Sequence, residues 1–254
     1  MTPFRPDLLA GRRVFVTGAS SGLGRAAAVG LSQLGATLAL CGRDEGRLAE
    51  TRELLAGDGH MLALAELTDT DQVAALVKNV AGNLGPLNGV FHAAGISLTM
   101  PLRMTKHRAV ENTFAPSVYG AFGIARAAGQ RGVMAEQSAI VLMSSISAER
   151  GHNGMMIYSA AKSALHGLVR SAAVELAPKG VRVNAVVAGS VHTEMYEREV
   201  DRMGPNWIAS VAARHPLGFG RTDDITNAVA YLLSDAGRWI TGTMWTVDGG
   251  YTAQ

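Results

Sequence analysis

The stretch Arg13-Val14-Phe15-Val16-Thr17-Gly18-Ala19-Ser20-Ser21-Gly22-Leu23-Gly24 decides how the rest of the chain is read. After Arg13, four apolar or β-branched residues in succession are expected to form a strand buried on both faces, and the periodic run from Leu23 to Leu34 a helix. Three glycines spaced G-x-x-x-G-x-G join the two. Gly18 permits a tight turn, Gly22 leaves the backbone bare for a pyrophosphate, and Gly24 lets the helix pack close to the sheet. The helix N-terminus adds free N–H groups and positive potential. A glycine-rich reversal serving only the chain has the same composition; the position between a buried strand and a helix favours a cofactor.

Outward from that turn, the alternation of short β-rich runs with helical stretches repeats. Strands are expected near residues 37–41, 61–65, 89–92, 139–143, 181–186 and 244–247, with helices near 45–55, 71–80, 105–128, 156–177 and 225–233. Strands apolar throughout, each followed by a helix, imply an α/β fold: a doubly wound parallel sheet of about seven strands with helices on both faces. No linker or repeat divides residues 1–254, which read as one domain. Ligands of such a sheet lie beyond the carboxyl ends of its strands. At the end of the second strand, where an acidic residue would hold the ribose hydroxyls of NAD, the chain reads Gly42-Arg43-Asp44. An arginine pairs bidentately with a 2′-phosphate, so NADP(H) is expected over NAD(H), unless Arg43 is a solvated turn residue paired with Asp44 or Glu45.

Tyr158 and Lys162 stand four residues apart at the start of an expected helix, hence on one face. A lysine cation and an oxidised nicotinamide both favour the phenolate and make tyrosine a usable general acid/base.

Taken together these motifs resemble the short-chain dehydrogenase/reductase family from Gly11 to Tyr251. The turn Thr17 to Gly24 is similar to its T-G-x-x-x-G-x-G, and Tyr158 and Lys162 to its catalytic pair. Ser145, thirteen residues before Tyr158, resembles its serine, and Asn112 its fourth catalytic residue. Arg182-Val183-Asn184-Ala185-Val186, then Gly189, and Asp248-Gly249-Gly250-Tyr251 resemble two further signatures. The resemblance implies a Rossmann-type fold and hydride transfer between a nicotinamide and a ketone or secondary alcohol. Tyr158 would move the proton, Ser145 hold the substrate oxygen, Lys162 bind the nicotinamide ribose, and Asn112 hold a water that links Lys162 to solvent. Cofactor contacts would come from Gly18, Ser20, Ser21, Gly22, Leu23, Gly24, Arg43, Ala93, Ala94, Gly95, Tyr158, Lys162, Gly189, Val191 and Thr193, the last gripping the carboxamide. Two departures stand out: His92-Ala93-Ala94-Gly95 in place of N-N-A-G, with His92 expected to be a buried hydrogen-bonder rather than a catalyst, and Ala188 in place of proline, expected to loosen the loop that follows.

The substrate loop is expected within 190–215, where Glu194 to Arg214 is least regular and carries Met195, Tyr196, Met203 and Trp207; Met155 and Met156 precede the tyrosine. Methionines there suit an acyl chain or a ketone of medium size, or else belong to the core. Reduction of 3-oxoacyl groups leads, with Lys179 either a docking cation for an acidic acyl carrier or a helix-end cation. Polyol, sugar or cyclic-alcohol oxidation is the enzyme alternative, and a non-catalytic NADP-binding sensor the rival of another class. Family resemblance implies a homotetramer built on the long helices near Thr105 and Met156 and the last strand.

Composition narrows the field. Charged residues are 17% of the chain and hydrophobic ones 48%, which excludes disorder as the main state. A net charge of +2 is too small for a surface that tracks nucleic-acid phosphates. One cysteine, Cys41, excludes an internal disulfide and a Cys-rich metal site. Lacking an apolar leader or an 18-residue apolar run, the protein is expected to be soluble and cytoplasmic, with no membrane partner.

Overall fold

The computed structural model describes residues 3–197 and 205–254. Seven strands, β1 (Arg13–Thr17), β2 (Thr37–Gly42), β3 (Met61–Leu64), β4 (Leu87–His92), β5 (Met134–Ser145), β6 (Val181–Ala188) and β7 (Met244–Val247), form one sheet in the order β3-β2-β1-β4-β5-β6-β7. Every pairing is parallel. The strand order reverses between β1 and β4, which opens a crevice at their carboxyl ends.

The apolar runs form these strands because both faces are covered. Side chains alternate across a strand, so Val14 and Val16 of β1 join Leu31, Leu38, Leu40, Val141 and Val229 in one core layer. Phe15 between them points into the other layer, with Val77, Ile124, Ile140, Leu165 and Val183. Helices α1 (Gly22–Gln33) and Thr222–Leu233 pack on each other over the first layer; α3 (Thr70–Leu84), α5 (Gly120–Ala128) and α6 (Met156–Leu176) cover the second. Helix α2 (Glu45–Glu53) starts where Asp44 caps the Arg47 N–H at 3.0 Å. No helix among the described residues is long and apolar enough to cross a membrane.

Three expectations need correction. The long helix expected near 105–128 begins as α4 (His107–Phe114), passes through a π-helical segment at Ala115–Tyr119 and resumes as α5. Pro116 explains the break, having no N–H to give the Asn112 carbonyl four residues back. Within the stretch expected to be irregular, Pro205–Ala212 is helical; Met203 lies outside the described residues, as does the Trp207 side chain. Finally, Ala188 is a strand residue in register with Ser145 on one side and Val247 on the other, so alanine prolongs the ladder to the rim of the crevice.

Candidate active site

One cleft of about 1210 Å³ lies over the crevice. It gathers Asn112, Ser145, Tyr158 and Lys162, and every residue expected at the cofactor: Gly18 and Ser20 to Gly24, Arg43, Ala93 to Gly95, Gly189, Val191 and Thr193.

The turn after β1 is shaped for a phosphate. Gly18 and Gly22 have φ of 67° and 50°, and nothing stands within 4 Å of where a Gly22 side chain would begin. A β-carbon on Gly24 would collide with the Gly18 carbonyl, so that glycine serves the turn itself rather than the sheet beneath it. Ser21, the N-cap of α1, makes no side-chain cap bond and no acidic residue sits in the first turn, which leaves the helix N–H groups and dipole facing the cleft. These features fit a dinucleotide pyrophosphate.

At the end of β2 a side chain on Gly42 would begin 3.2 Å from Leu48 and 3.3 Å from the Ser20 hydroxyl, leaving little room for a ribose-binding carboxylate. Exposed Arg43 follows. Asp44 is occupied as the α2 cap, and among the described residues no carboxylate lies within ion-pairing distance of Arg43.

The catalytic candidates come from three elements. Ser145 ends β5, and its Oγ accepts the Ser147 N–H at 3.2 Å. Ser144, one residue earlier, instead lies 2.8 Å from His166 Nε2. Helix α6 carries Tyr158, half-buried, and Lys162, which is 4% exposed. The Lys162 ammonium lies 5.7 Å from the Tyr158 ring centre and donates to the Met143 carbonyl at 2.7 Å; burial pushes its pKa down to about 8. Asn112 is exposed to the cleft on α4, which packs on α6. Thr193 accepts the Tyr196 N–H and starts the turn that carries Glu194, whose carboxylate pairs with Arg47 at 2.7 Å.

His92 is buried within a chain of hydrogen bonds. Its Nε2 lies 3.0 Å from the Ser117 carbonyl and its Nδ1 2.8 Å from Thr17 Oγ1. A carbonyl only accepts, so Nε2 carries the proton and Nδ1 accepts from Thr17, whose oxygen accepts the Ala94 N–H at 3.2 Å. One imidazole thus ties β1, β4, the Ala93-Ala94-Gly95 backbone and the π-helical segment. Burial, reinforced by the Lys162 charge, lowers the His92 pKa to about 4, so the ring is neutral at pH 7. The unfolded chain binds this proton from about pH 6.5 downward and the folded chain only near 4, so stability falls with pH across that window, by about 3 kcal/mol at its foot. Urea titrations of the wild type against His92→Asn, whose amide can still accept and donate, are expected to show that acid limb only in the wild type. An identical limb in both would assign it elsewhere.

Several cleft residues were given no role in the site by the motif reading: Ser147, His152, Asn153, Arg214 and Tyr251 line it beside Met155, Met195 and Tyr196. Met156 is exposed and does not line it. The wall is therefore more polar than the methionines suggested. Lys179 donates to the Gly129 carbonyl at the end of α5, the role of a helix-end cation.

A parallel sheet with a phosphate-shaped turn at its switch point, faced by tyrosine and lysine from one helix, defines the class of a dinucleotide-binding oxidoreductase. Residues 18–252 match the family model described as enoyl-(acyl carrier protein) reductase. A 3-oxoacyl-(acyl-carrier-protein) reductase of Staphylococcus aureus is 32% identical over 94% of this chain and 97% of its own. The cis-4-hydroxycyclohexanecarboxylate dehydrogenase of Sinomonas cyclohexanicum is 35% identical over 97% and 99%. A blue fluorescent protein from a metagenomic library, solved in complex with NADPH, superposes with a TM-score of 0.86 at 31% identity over 96% of this chain and 99% of that one. The chain belongs to the short-chain dehydrogenase/reductase family, whose members bind a nicotinamide cofactor and act on alcohol and ketone groups.

Proposed function

We propose that the protein is an NADP(H)-dependent ketoreductase, with 3-oxoacyl groups as its first substrate class. The observation that carries the cofactor choice is Arg43, which has no carboxylate partner among the described residues and stands beside a Gly42 that leaves little space for an acid. Arg43→Ala is expected to raise the NADPH Michaelis constant about 10- to 100-fold, the worth of a lost charge-assisted bond, and to leave that for NADH unchanged. Equal shifts for both cofactors would remove Arg43 from that role.

When bound, the nicotinamide supplies or takes up the hydride. The chain does the rest. Gly18 to Gly24 and the α1 N-terminus seat the pyrophosphate. Tyr158 donates its hydroxyl proton to the oxygen that becomes the alcohol, and Ser145 donates a hydrogen bond to that oxygen as charge develops. Lys162 holds the nicotinamide ribose and favours the phenolate left behind. Pro116 has no N–H to give the Asn112 carbonyl, and Asn112 lines the cleft, where it would hold a water that resupplies the proton.

The 3-oxoacyl reading rests on Met155 and Met195 in the cleft wall and on the Staphylococcus aureus relative. Oxidation of a cyclic or polyol alcohol is favoured instead by Ser147, His152 and Asn153 in the same wall. A screen of 3-oxoacyl thioesters, cyclic ketones and polyols with both cofactors separates the two. NADPH binding with no turnover of any of them would favour a sensor. Exposed Phe122 on α5 and Val174 on α6 support a homotetramer joined through these helices, to be checked by light scattering.

A further inference from the structure

On the substrate side of the cleft a line of hydrogen bonds runs outward from the reacting serine. Ser147 donates its N–H to Ser145 Oγ, its own hydroxyl lies 3.5 Å from His152 Nδ1, and His152 Nε2 lies 2.8 Å from the Tyr251 hydroxyl. Arg214 ends the line, donating from Nη1 to the same Tyr251 oxygen at 3.2 Å. It follows the helix Pro205–Ala212, and the Gln254 side chain bonds its carbonyl. Arg214 is exposed to the cleft, and among the described residues no carboxylate lies within ion-pairing distance of it.

Other charged residues of the wall are engaged or stand elsewhere. Glu194 is paired with Arg47, Lys162 is bonded to the Met143 carbonyl, the Tyr119 hydroxyl donates to Glu111, and Arg43 and Glu66 lie past the ends of β2 and β3. Burial and the Arg214 charge both hold His152 below the usual imidazole range, so the ring adds no charge at neutral pH. One guanidinium whose side-chain partner is the Tyr251 hydroxyl, lining the same cleft as Ser145 and Tyr158, has donors to offer a second, anionic group of the substrate.

We propose that Arg214 binds an anionic oxygen group of the substrate, so that the ketone reduced at Ser145 and Tyr158 belongs to a molecule carrying a carboxylate or a phosphate. This rests on the ketoreductase reading and narrows it. The anion has two chemical sources: the free carboxylate of an oxo acid, or the phosphate of a thioester's carrier arm.

Reduction kinetics with NADPH would be measured on two pairs, 4-oxocyclohexanecarboxylate against its methyl ester and acetoacetyl-coenzyme A against acetoacetyl-N-acetylcysteamine. The second member of each pair lacks the anion. Arg214→Gln is expected to raise KM about 10-fold or more for an anionic member, with kcat within about threefold and the neutral partner unchanged; Arg214→Lys recovers most of the loss. The pair that shows the effect identifies the source. Equal effects on both members, or none in either pair, would overturn the proposal. Calorimetry of cyclohexanecarboxylate on the NADP-loaded protein reads the site without turnover: weaker binding to Arg214→Gln supports it even if no ketone is reduced, in which case it is the ketoreductase reading that fails. An effect confined to the thioester pair needs no calorimetric counterpart, because cyclohexanecarboxylate tests only the carboxylate source; no dependence on Arg214 in either measurement would overturn the proposal.

Discussion

On the reading proposed above, Tyr158→Phe is expected to lower turnover about a thousandfold while the protein still binds NADPH. The substitution removes one oxygen from a half-buried side chain on a 21-residue helix and leaves the ring to pack as before, so the fold and the cofactor seat persist. What is lost is the only proton that Tyr158 can pass to the developing alkoxide. Ser145 can still stabilise charge there but cannot replace the transfer, and general-acid catalysis is commonly worth about 10² to 10⁴ in rate. Steady-state NADPH oxidation and fluorescence titration of NADPH read the two halves. A variant that keeps more than a few per cent of the wild-type rate would remove Tyr158 from proton transfer.

Lys162→Met moves activity and stability in opposite directions. Turnover is expected to fall about a hundredfold or more, because the ribose loses its anchor and the phenolate its counter-charge. The folded protein, however, is relieved of a buried cation. Lowering the pKa from 10.5 to about 8 by burial corresponds to roughly 3 kcal/mol of cost carried at neutral pH. Leaving the Met143 carbonyl without its donor returns about 1 kcal/mol of that. The variant is therefore expected to be more stable by about 2 kcal/mol, with a melting temperature several degrees higher. The sign can be checked with pH. Between about 8 and 10.5 the unfolded chain binds more protons at Lys162 than the folded chain, so wild-type stability rises with pH there and its deficit against Lys162→Met shrinks. A variant less stable than the wild type at pH 7 would contradict the account.

Much of this was legible from residue order because a two-sided parallel sheet leaves a strong trace. Val14, Phe15 and Val16 are all apolar since consecutive side chains enter opposite core layers, and β7 falls on the expected residues. The part of the cleft lined by Gly18 to Gly24, Arg43 and Ala93 to Gly95 was legible because these residues follow strand ends at short range. The substrate side was not. His152, Arg214 and Tyr251 come from three distant places and meet only in the folded chain, and nothing in their local spacing says that they do. Tyr251 was visible as part of a C-terminal signature, yet its hydroxyl faces the cleft only once residues 214 and 152 are beside it. The helix Pro205–Ala212 was missed because it opens on a proline, which reads as a turn although it suits a first helical turn equally well.

The π-helical segment has a consequence for how this rod can change through descent. A π turn holds one more residue than an α turn, so it acts as a phase shift between the helix before it and the helix after it. The piece carrying Asn112 answers to the cleft, and the piece carrying Ala121 and Ile124 answers to the core. Each can keep its own apolar period without the other's register. A one-residue deletion between them would cancel the shift and rotate one face out of place, although every side chain on both faces remained the same.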